Sequence, residues 1–540
     1  MKKNNFSSIS LILLVLFSLN VTLLYSNSSN SLSLWSFTQL INRIDNFEDS
    51  YIFISVDIKW DNNGNPICTE NGSQSGAKIC SDGDGGVIIV WADGRGADTD
   101  IYSQRLNPSG IAQWTPNGTP ICQFSGSQTQ HQICSDGNGG AIITWTDYRD
   151  GANTDIYAQR IDSNGVVNWT INGIAICTED DVQSQPEICS DGSGGAIIVW
   201  QDGRPGGAND DIYAQRINSA GVALWTPNGT LICDQINWQR NPEICSDGVG
   251  GAILTWEDER NGGGIRHIFA QRIDGIGLVQ WLANGIAICT ETNSKYYPEI
   301  CSDENGGAII AWEDHRVSNI DRNIYVHKVD SNGNLLWIDN GTPICTELFN
   351  QFTPQICSDG AGGAIITWED ERGVDDDIYA QRINSSGYVE WTSNGITICI
   401  ESNSQNDASI SSDGAGGAII TWTDWRNGSE TDIYAQQINS TGVAQWTMNG
   451  IPICTAIDDQ MGSFVFSKGG EAFITWADRR TGTLYDDLYA QRVVFDETPP
   501  SITVYSPPGN YYNTPPVMDV DFNDDYNLDD AYYKVDSFTP

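Results

Sequence analysis

The stretch Ala196-Ile197-Ile198-Val199-Trp200-Gln201-Asp202-Gly203-Arg204, followed after a glycine-rich loop by Asp211-Ile212-Tyr213-Ala214-Gln215-Arg216-Ile217, decides the fold, because the chain spells close variants of it eight times. The tryptophans fall at Trp91, Trp145, Trp200, Trp256, Trp312, Trp368, Trp422 and Trp476, so successive copies lie 54, 55, 56, 56, 56, 54 and 54 residues apart. A period this regular marks one supersecondary unit that was copied and stacked. Within the unit, Pro186-Glu187-Ile188-Cys189-Ser190 is short and extended, and Asp191-Gly192-Ser193-Gly194-Gly195 is a turn. Residues 196–200 form an apolar, β-branched run that reads as a strand buried on both faces. Residues 212–217 are a third strand, Asn218-Ser219-Ala220-Gly221 a hairpin turn, and 222–225 a fourth strand. No segment carries sustained helical periodicity, so each unit is a four-stranded antiparallel meander.

Radial repetition of four-stranded sheets is the β-propeller solution to exposed strand edges, whereas an open stack would leave two edges to cap. The chain ends discriminate. The eighth copy stops at Leu488-Tyr489-Ala490-Gln491-Arg492-Val493-Val494 with no fourth strand, and the N-terminal side supplies an orphan one, Val56-Asp57-Ile58-Lys59-Trp60. The pieces complement each other. Residues 56–60 are expected to pair with 489–494 and close an all-β, eight-bladed propeller over 51–496.

Lys+Arg total 27 against 70 Asp+Glu, a formal charge of −43. That field repels phosphate backbones and argues against nucleic acid as a partner. Met1-Lys2-Lys3, the apolar run over 9–24 and Tyr25-Ser26-Asn27-Ser28 read as a signal peptide over 1–28, with an uncleaved signal anchor as the alternative. No comparable apolar run follows, so no membrane insertion is expected after it, and the expected location is secreted or cell-surface. Residues 29–50 read as a linker.

Twelve of the fourteen cysteines lie in pairs with constant spacing: Cys68/Cys80, Cys122/Cys134, Cys177/Cys189, Cys233/Cys245, Cys289/Cys301 and Cys345/Cys357. In an exported chain the spacing predicts one local disulfide per repeat. The alternative is a buried Ile-Cys pair with Cys acting as a small hydrophobe, which the unpartnered Cys399 and Cys454 of the last two repeats favour. No CxxC or His/Cys cluster points to zinc.

In Trp-x-Asp-x-Arg the named residues alternate and share one strand face. The set is Trp91, Asp93, Arg95; Trp145, Asp147, Arg149; Trp200, Asp202, Arg204; Trp256, Asp258, Arg260; Trp312, Asp314, Arg316; Trp368, Asp370, Arg372; Trp422, Asp424, Arg426; and Trp476, Asp478, Arg480. Eightfold presence marks it as scaffold, a hydrogen-bonded ladder fixing the loop between second and third strands. The Ser-Asp-Gly-x-Gly-Gly turn has only a superficial likeness to a calcium loop, because the Asp-x-Asp-x-Asp-Gly ligand spacing is missing. No metal and no cofactor are expected, calcium being the weak exception.

The run Tyr157-Ala158-Gln159-Arg160-Ile161-Asp162-Ser163-Asn164-Gly165-Val166-Val167-Asn168-Trp169 resembles the tryptophan-docking motif of quinoprotein-type propellers, in which a glycine and a later tryptophan wedge adjacent blades together. The vicinal cysteines of quinoprotein dehydrogenases are absent, and no cofactor ligands match. The whole repeat is more similar to exported tandem-repeat propeller proteins of bacteria and archaea, a resemblance that covers 51–496 and implies a fold rather than an activity. Sialidase-type propellers match less well, since their Asp-box is not present. After the linker at Asp496-Glu497-Thr498-Pro499-Pro500, the strand-like 501–508 and 517–522 resemble the start of an Ig-like module, incomplete over 497–540.

Only departures from the repeat can make a unique site. The second-to-third loops and the loops between blades emerge on one face, where binding residues gather on rigid scaffolds. Their variation concentrates before and within repeats four to six: Trp238, Arg266, His267, Tyr296, Tyr297, His315, Arg322, Phe349 and Phe352, with Arg240 and Lys295 beside them. Aromatics with cationic neighbours suit stacking on sugar faces or anchoring a peptide. No catalytic residues stand out. The expectation is a non-catalytic binding or adhesion module for an extracellular glycan or protein, with a quinoprotein-like or carbohydrate-active enzyme and a structural envelope spacer as alternatives.

Overall fold

A computed structural model describes residues 56–495 except 152, 205–208, 318–320 and 483–484, together with the backbone of 501–505 and 519–523. The expected signal segment, the linker to residue 50 and most of 497–540 lie outside the described residues. Among the described residues there is no helix.

The protein is an eight-bladed β-propeller of antiparallel four-stranded blades. Blade 3 shows the plan. Gln183–Ser190 is the inner strand, Ala196–Asp202 the second, Asp211–Ile217 the third and Thr230–Cys233 the outer one. The inner strands of successive blades contact one another around the ring, and the last contacts the first. The second strand is enclosed by sheet and by both neighbouring blades, which is why its sequence is continuously apolar: Ala196, Ile197, Ile198, Val199 and Trp200 are fully buried.

Each inner strand breaks register near its start, as between Ser184 and Glu187. The residue at the break is left-handed: Gln185 has φ 52° and Tyr297 φ 51°. Such a bulge leaves one residue outside the ladder and re-aims its side chain.

The ring closes as its ends require. Val56–Ile58 pairs with Val493–Phe495, and Asn65–Cys68 pairs with Leu488–Ala490 of the same last sheet. The fourth strand differs from expectation. Residues 222–225 contribute a single bridge, Ile217↔Ala223, and the outer strand is Thr230–Cys233, pairing with the start of the third. Trp225 leaves the edge because its ring is used elsewhere. A Cβ on Gly277 of blade 4 would stand 2.7 Å from it, and its indole donates to Gly275 O at 3.3 Å. Trp60, Trp114, Trp169, Trp281, Trp337 and Trp391 seat on glycines of the next blade in the same way.

The outer-strand position also overturns the disulfides. All fourteen cysteines are free, so Cys68/Cys80, Cys122/Cys134, Cys177/Cys189, Cys233/Cys245, Cys289/Cys301 and Cys345/Cys357 are unbridged. The first of each pair ends an outer strand and the second lies on the inner strand of the next blade. Those strands sit at opposite radial ends of adjacent blades, on the order of three strand spacings or ~14 Å apart, beyond the ~7 Å that a bridge can span. Cys177 and Cys189 instead pack as small hydrophobes in separate clusters.

The Trp-x-Asp-x-Arg residues form one bonded unit per blade. Trp200 Nε1 donates to Asp202 Oδ2 at 2.7 Å. Arg204 donates from its backbone N and Nε to Asp202 Oδ1, both at 2.9 Å, and from Nη2 to Asn228 O at 2.7 Å. Its guanidinium lies 3.8 Å from the Tyr213 ring centroid. One arginine thereby ties the second strand, the third strand and the turn before the outer strand. Beyond the propeller, Ser501–Tyr505 and Asp519–Asn523 pair as an antiparallel ladder.

Candidate functional site

The face carrying the inter-blade and second-to-third loops holds two features. The first is a crown over blades 4 to 6. At the second position of the inner strand these blades carry Arg240, Tyr296 and Phe352, each directly opposite a glutamate at the x of Trp-x-Asp: Glu257, Glu313 and Glu369. Blades 1 and 2 have Ser75 opposite Ala92 and Thr129 opposite Thr146. The buried glutamates hold the side chains above them. Arg266 pairs with Glu257 at 2.8 Å and Glu259 at 3.2 Å. His315 Nε2 contacts Glu313 Oε1 at 2.8 Å, and Arg322 Nε approaches the same oxygen at 3.6 Å.

These contacts join most of the expected binding residues into one strip. The Arg240 guanidinium stacks 3.5 Å from the Trp238 ring centroid, and burial followed by the nearby Arg266 charge pulls Arg240 below its usual pKa. Arg266 lies 4.9 Å from the Tyr296 ring, whose centroid is 4.9 Å from that of His315. Arg322 lies 5.7 Å from Phe352. Trp238 is 41% exposed and Tyr297 54%. Phe349, 61% exposed at a left-handed turn position, takes part in none of these ring contacts.

Two residues lie elsewhere. His267 begins the third strand of blade 4, buried opposite Asp258 where most blades have Asp. Burial, then the Lys295 charge, lowers its pKa. Lys295 stands where the other inner strands begin with Gln. It is fully buried, donating to Glu291 O, Thr292 O and Asn293 O at 2.6, 2.8 and 2.7 Å, and caps its own loop.

The second feature is a funnel of about 690 Å3 at the mouth of the central channel, walled by the inner strands of blades 1 to 5. It was not foreseen. Its chemistry comes from the fifth inner-strand position, which reads Lys78, Gln132, Glu187, Glu243, Glu299, Gln355, Ser409 and Phe464 around the ring. Three consecutive blades place a carboxyl on one wall, each only half-buried because it meets the cavity. Gln355 Nε2 donates to Glu299 Oε1 at 2.7 Å, and Gln132 Nε2 donates to Glu187 Oε1. Glu243, between them, accepts no hydrogen bond from a described side chain. Burial pushes Glu187 and Glu299 up to about 7 against the pull of Lys78. Burial, then the Glu187 and Glu299 charges, pushes Glu243 well above the ordinary carboxylate range. His131, 6% exposed, lines the same cavity, and burial takes it down to about 4. Tyr297 borders the funnel and adjoins Tyr296 of the crown at 6.2 Å between centroids.

No family model and no curated protein matches the sequence. Among solved structures the fold is similar to that of a protein of unknown function from Dyadobacter fermentans, at 8% identity and TM-score 0.38 over 82% of this chain and 99% of that one. It is also similar to a polysaccharide lyase, at 9% identity and TM-score 0.38 over 83% and 94%. An α-L-arabinofuranosidase from Fusarium graminearum aligns at 10% identity and TM-score 0.34 over 57% and 92%. These are likenesses of fold.

Proposed function

We propose that the protein is an exported or cell-surface binding module whose crown on blades 4 to 6 takes a glycan. The observation that supports this reading is the strip from Trp238 to Phe352, in which aromatic rings lie against guanidinium groups and buried glutamates hold Arg266 and approach Arg322, while Arg240 stacks on Trp238. Rings of this kind stack on the apolar faces of sugars, and the cations and amides beside them address hydroxyls. Side chains already held in place lose less freedom on binding. A glycan array followed by titration of the best ligand tests it. Trp238→Ala with Tyr296→Ala should weaken binding by about tenfold or more, or ~1.4 kcal/mol and upward; unchanged affinity rejects the crown as the seat.

The funnel favours a second reading, a carbohydrate-active enzyme. Carboxyls that ionise near about 7 are poised for general acid–base work. Release of reducing ends from oligosaccharides, lost in both Glu187→Gln and Glu299→Gln, would support this reading over the first.

A further inference from the structure

A further recess opens over blade 7. Its volume is about 280 Å3, and Asn403, Ser404, Asn406, Trp425 and Gly428 line it. Asn403 and Ser404 end the loop before the inner strand Gln405–Ser412, and Asn406 is that strand's second residue. Trp425 and Gly428 follow the second strand, Ala418–Asp424. The position between the Asp and Arg of the repeat holds Gly94, Tyr148, Gly203, Glu259, His315, Glu371 and Arg479 in the other blades, so blade 7 alone places tryptophan there. Trp425 is 40% exposed. Its backbone is fixed on both sides, since its N donates to Ser404 O at 3.0 Å and Gly428 N donates to its O at 2.7 Å. Two neighbouring side chains are released from work that the frame assigns them in other blades. The counterparts of Asn403 in blades 4 and 5, Asn237 and Asn293, donate from Nδ2 to the carbonyls of Glu259 and His315 at 3.2 and 3.1 Å, closing the loop onto the residue that matches Trp425. The counterparts of Ser404 in blades 5 and 6, Ser294 and Asn350, accept from Arg266 N and Arg322 N of the preceding blade, each at 3.3 Å. The Asn403 side-chain amide and the Ser404 hydroxyl make neither bond, and no other among the described residues. Asn406 donates from Nδ2 to Glu369 Oε2 and Asp376 Oδ2, both at 3.3 Å, which fixes its amide and leaves Oδ1 as an acceptor.

We propose that this recess binds one neutral sugar ring, stacked on Trp425 with its hydroxyls addressed by Asn403, Ser404 and Asn406. An indole offers a flat apolar face to the apolar face of a sugar. A wholly apolar ligand would strand the three polar side chains on desolvation, whereas sugar hydroxyls both donate and accept and so match amides and a hydroxyl. The surrounding charges decide against an acidic sugar. Asp375 accepts from Asn403 N at 3.1 Å, Glu369 and Asp376 hold Asn406, and the neighbouring cation, Arg426, is paired with Asp424. A carboxylate on the ligand would meet this field as a like charge. The volume lies just under the ~300 Å3 at which small-molecule sites begin, which suits one ring of a chain rather than several. This site has its own platform and uses no cation, so it does not rest on the crown.

The test is calorimetric titration of the full chain with cellotetraose, xylotetraose, mannotetraose and tetragalacturonic acid. At least one of the three neutral tetrasaccharides should bind, and the acidic one should bind about tenfold more weakly or not at all. Trp425→Ala should weaken the best neutral ligand about tenfold or more, while Trp425→Tyr, which keeps an aromatic face, should stay within about threefold of the parent. Rescue by tyrosine is an outcome that misfolding cannot produce. Affinity for the same sugar should survive Trp238→Ala with Tyr296→Ala, and a crown that binds nothing would leave the recess standing. Four results would overturn the proposal: no binding of any neutral tetrasaccharide, binding of tetragalacturonic acid as tight as that of the best neutral one, unchanged affinity in Trp425→Ala, or a loss confined to the crown variant.

Discussion

Replacing Asp211 with Asn should stabilise the propeller at alkaline pH and leave it unchanged in mild acid. Asp211 begins the third strand of blade 3, 4% exposed and directly opposite Asp202 in the ladder. Arg204 is committed to Asp202, so Asp211 faces a carboxylate whose counter-charge is already engaged. Burial, then the charges of Asp234, Asp202 and Asp210, lifts its carboxyl from 3.8 to about 7. The native state therefore holds this proton more tightly than the unfolded chain. The stability it contributes is complete below about pH 4 and is lost as pH rises through about 7. A displacement of that size is worth about 4 kcal/mol at most, and solvent at the strand end brings it to about 2–4 kcal/mol. An Asn pays no such penalty. Asn323 occupies the same position in blade 5, opposite Asp314, so the amide fits the register. Denaturant unfolding followed by tryptophan fluorescence at about pH 4 and about pH 8 reads the difference. The Asn variant should match the parent at the first and exceed it by about 2–4 kcal/mol at the second. A variant no more stable than the parent at about pH 8 would refute the argument, since a lost hydrogen bond costs the same at either pH.

Thiol titration of the denatured, unreduced protein should find 14 free thiols; a count short by twelve would restore six local bridges. Deleting 56–68 removes both segments that complete the last sheet. It should lower the unfolding midpoint of the whole domain and open every blade to proteolysis, whereas cleavage confined to blade 8 would argue against a closed ring.

The propeller was legible because its signals are local and repeated. Buried second strands are apolar at every position, turns are spelled by glycine, and a missing strand at one end matches an orphan at the other. Residues 222–225 looked like an edge strand because Val222, Leu224 and Trp225 are apolar, yet the tryptophan serves the next blade and a four-residue strand beyond it makes the edge. The cysteine spacing is real but belongs to the repeat. It measures the chain from one blade's rim to the next blade's centre. Crown residues could be found because loops vary against a constant frame. Glu187, Glu243 and Glu299 were missed because they sit inside the most regular strand, where Pro-Glu-Ile-Cys-Ser reads as scaffold. The visible clue was the drift of that one position from Lys78 through glutamates to Phe464, and nothing in a linear reading says that it faces the axis.

Ring closure is also written in single side chains far from the termini. In six blades the arginine ending Tyr-Ala-Gln-Arg, or its variant, reaches a carbonyl in the next blade's hairpin turn: Arg105 to Ser163, Arg160 to Ser219, Arg216 to Gly275, Arg272 to Ser331, Arg382 to Ser440 and Arg492 to Pro108. The docked tryptophan of the same blade usually shares that carbonyl, as Trp114 does with Ser163. Blade 8 takes its outer edge from the N-terminal segment, and among the described residues it presents no such turn. Blade 7, which would dock on it, carries Gln437 in place of arginine, and its Trp446 indole N–H has no partner. An arginine there would find no such carbonyl among the described residues. The repeat thus departs from itself at blade 7 for a reason of architecture. At blades 3 to 6, where every turn and docking glycine is present, two of the channel-wall glutamates also tie neighbouring blades, Glu187 to Gln132 and Glu299 to Gln355, while Glu243 between them makes no such bond to a described side chain.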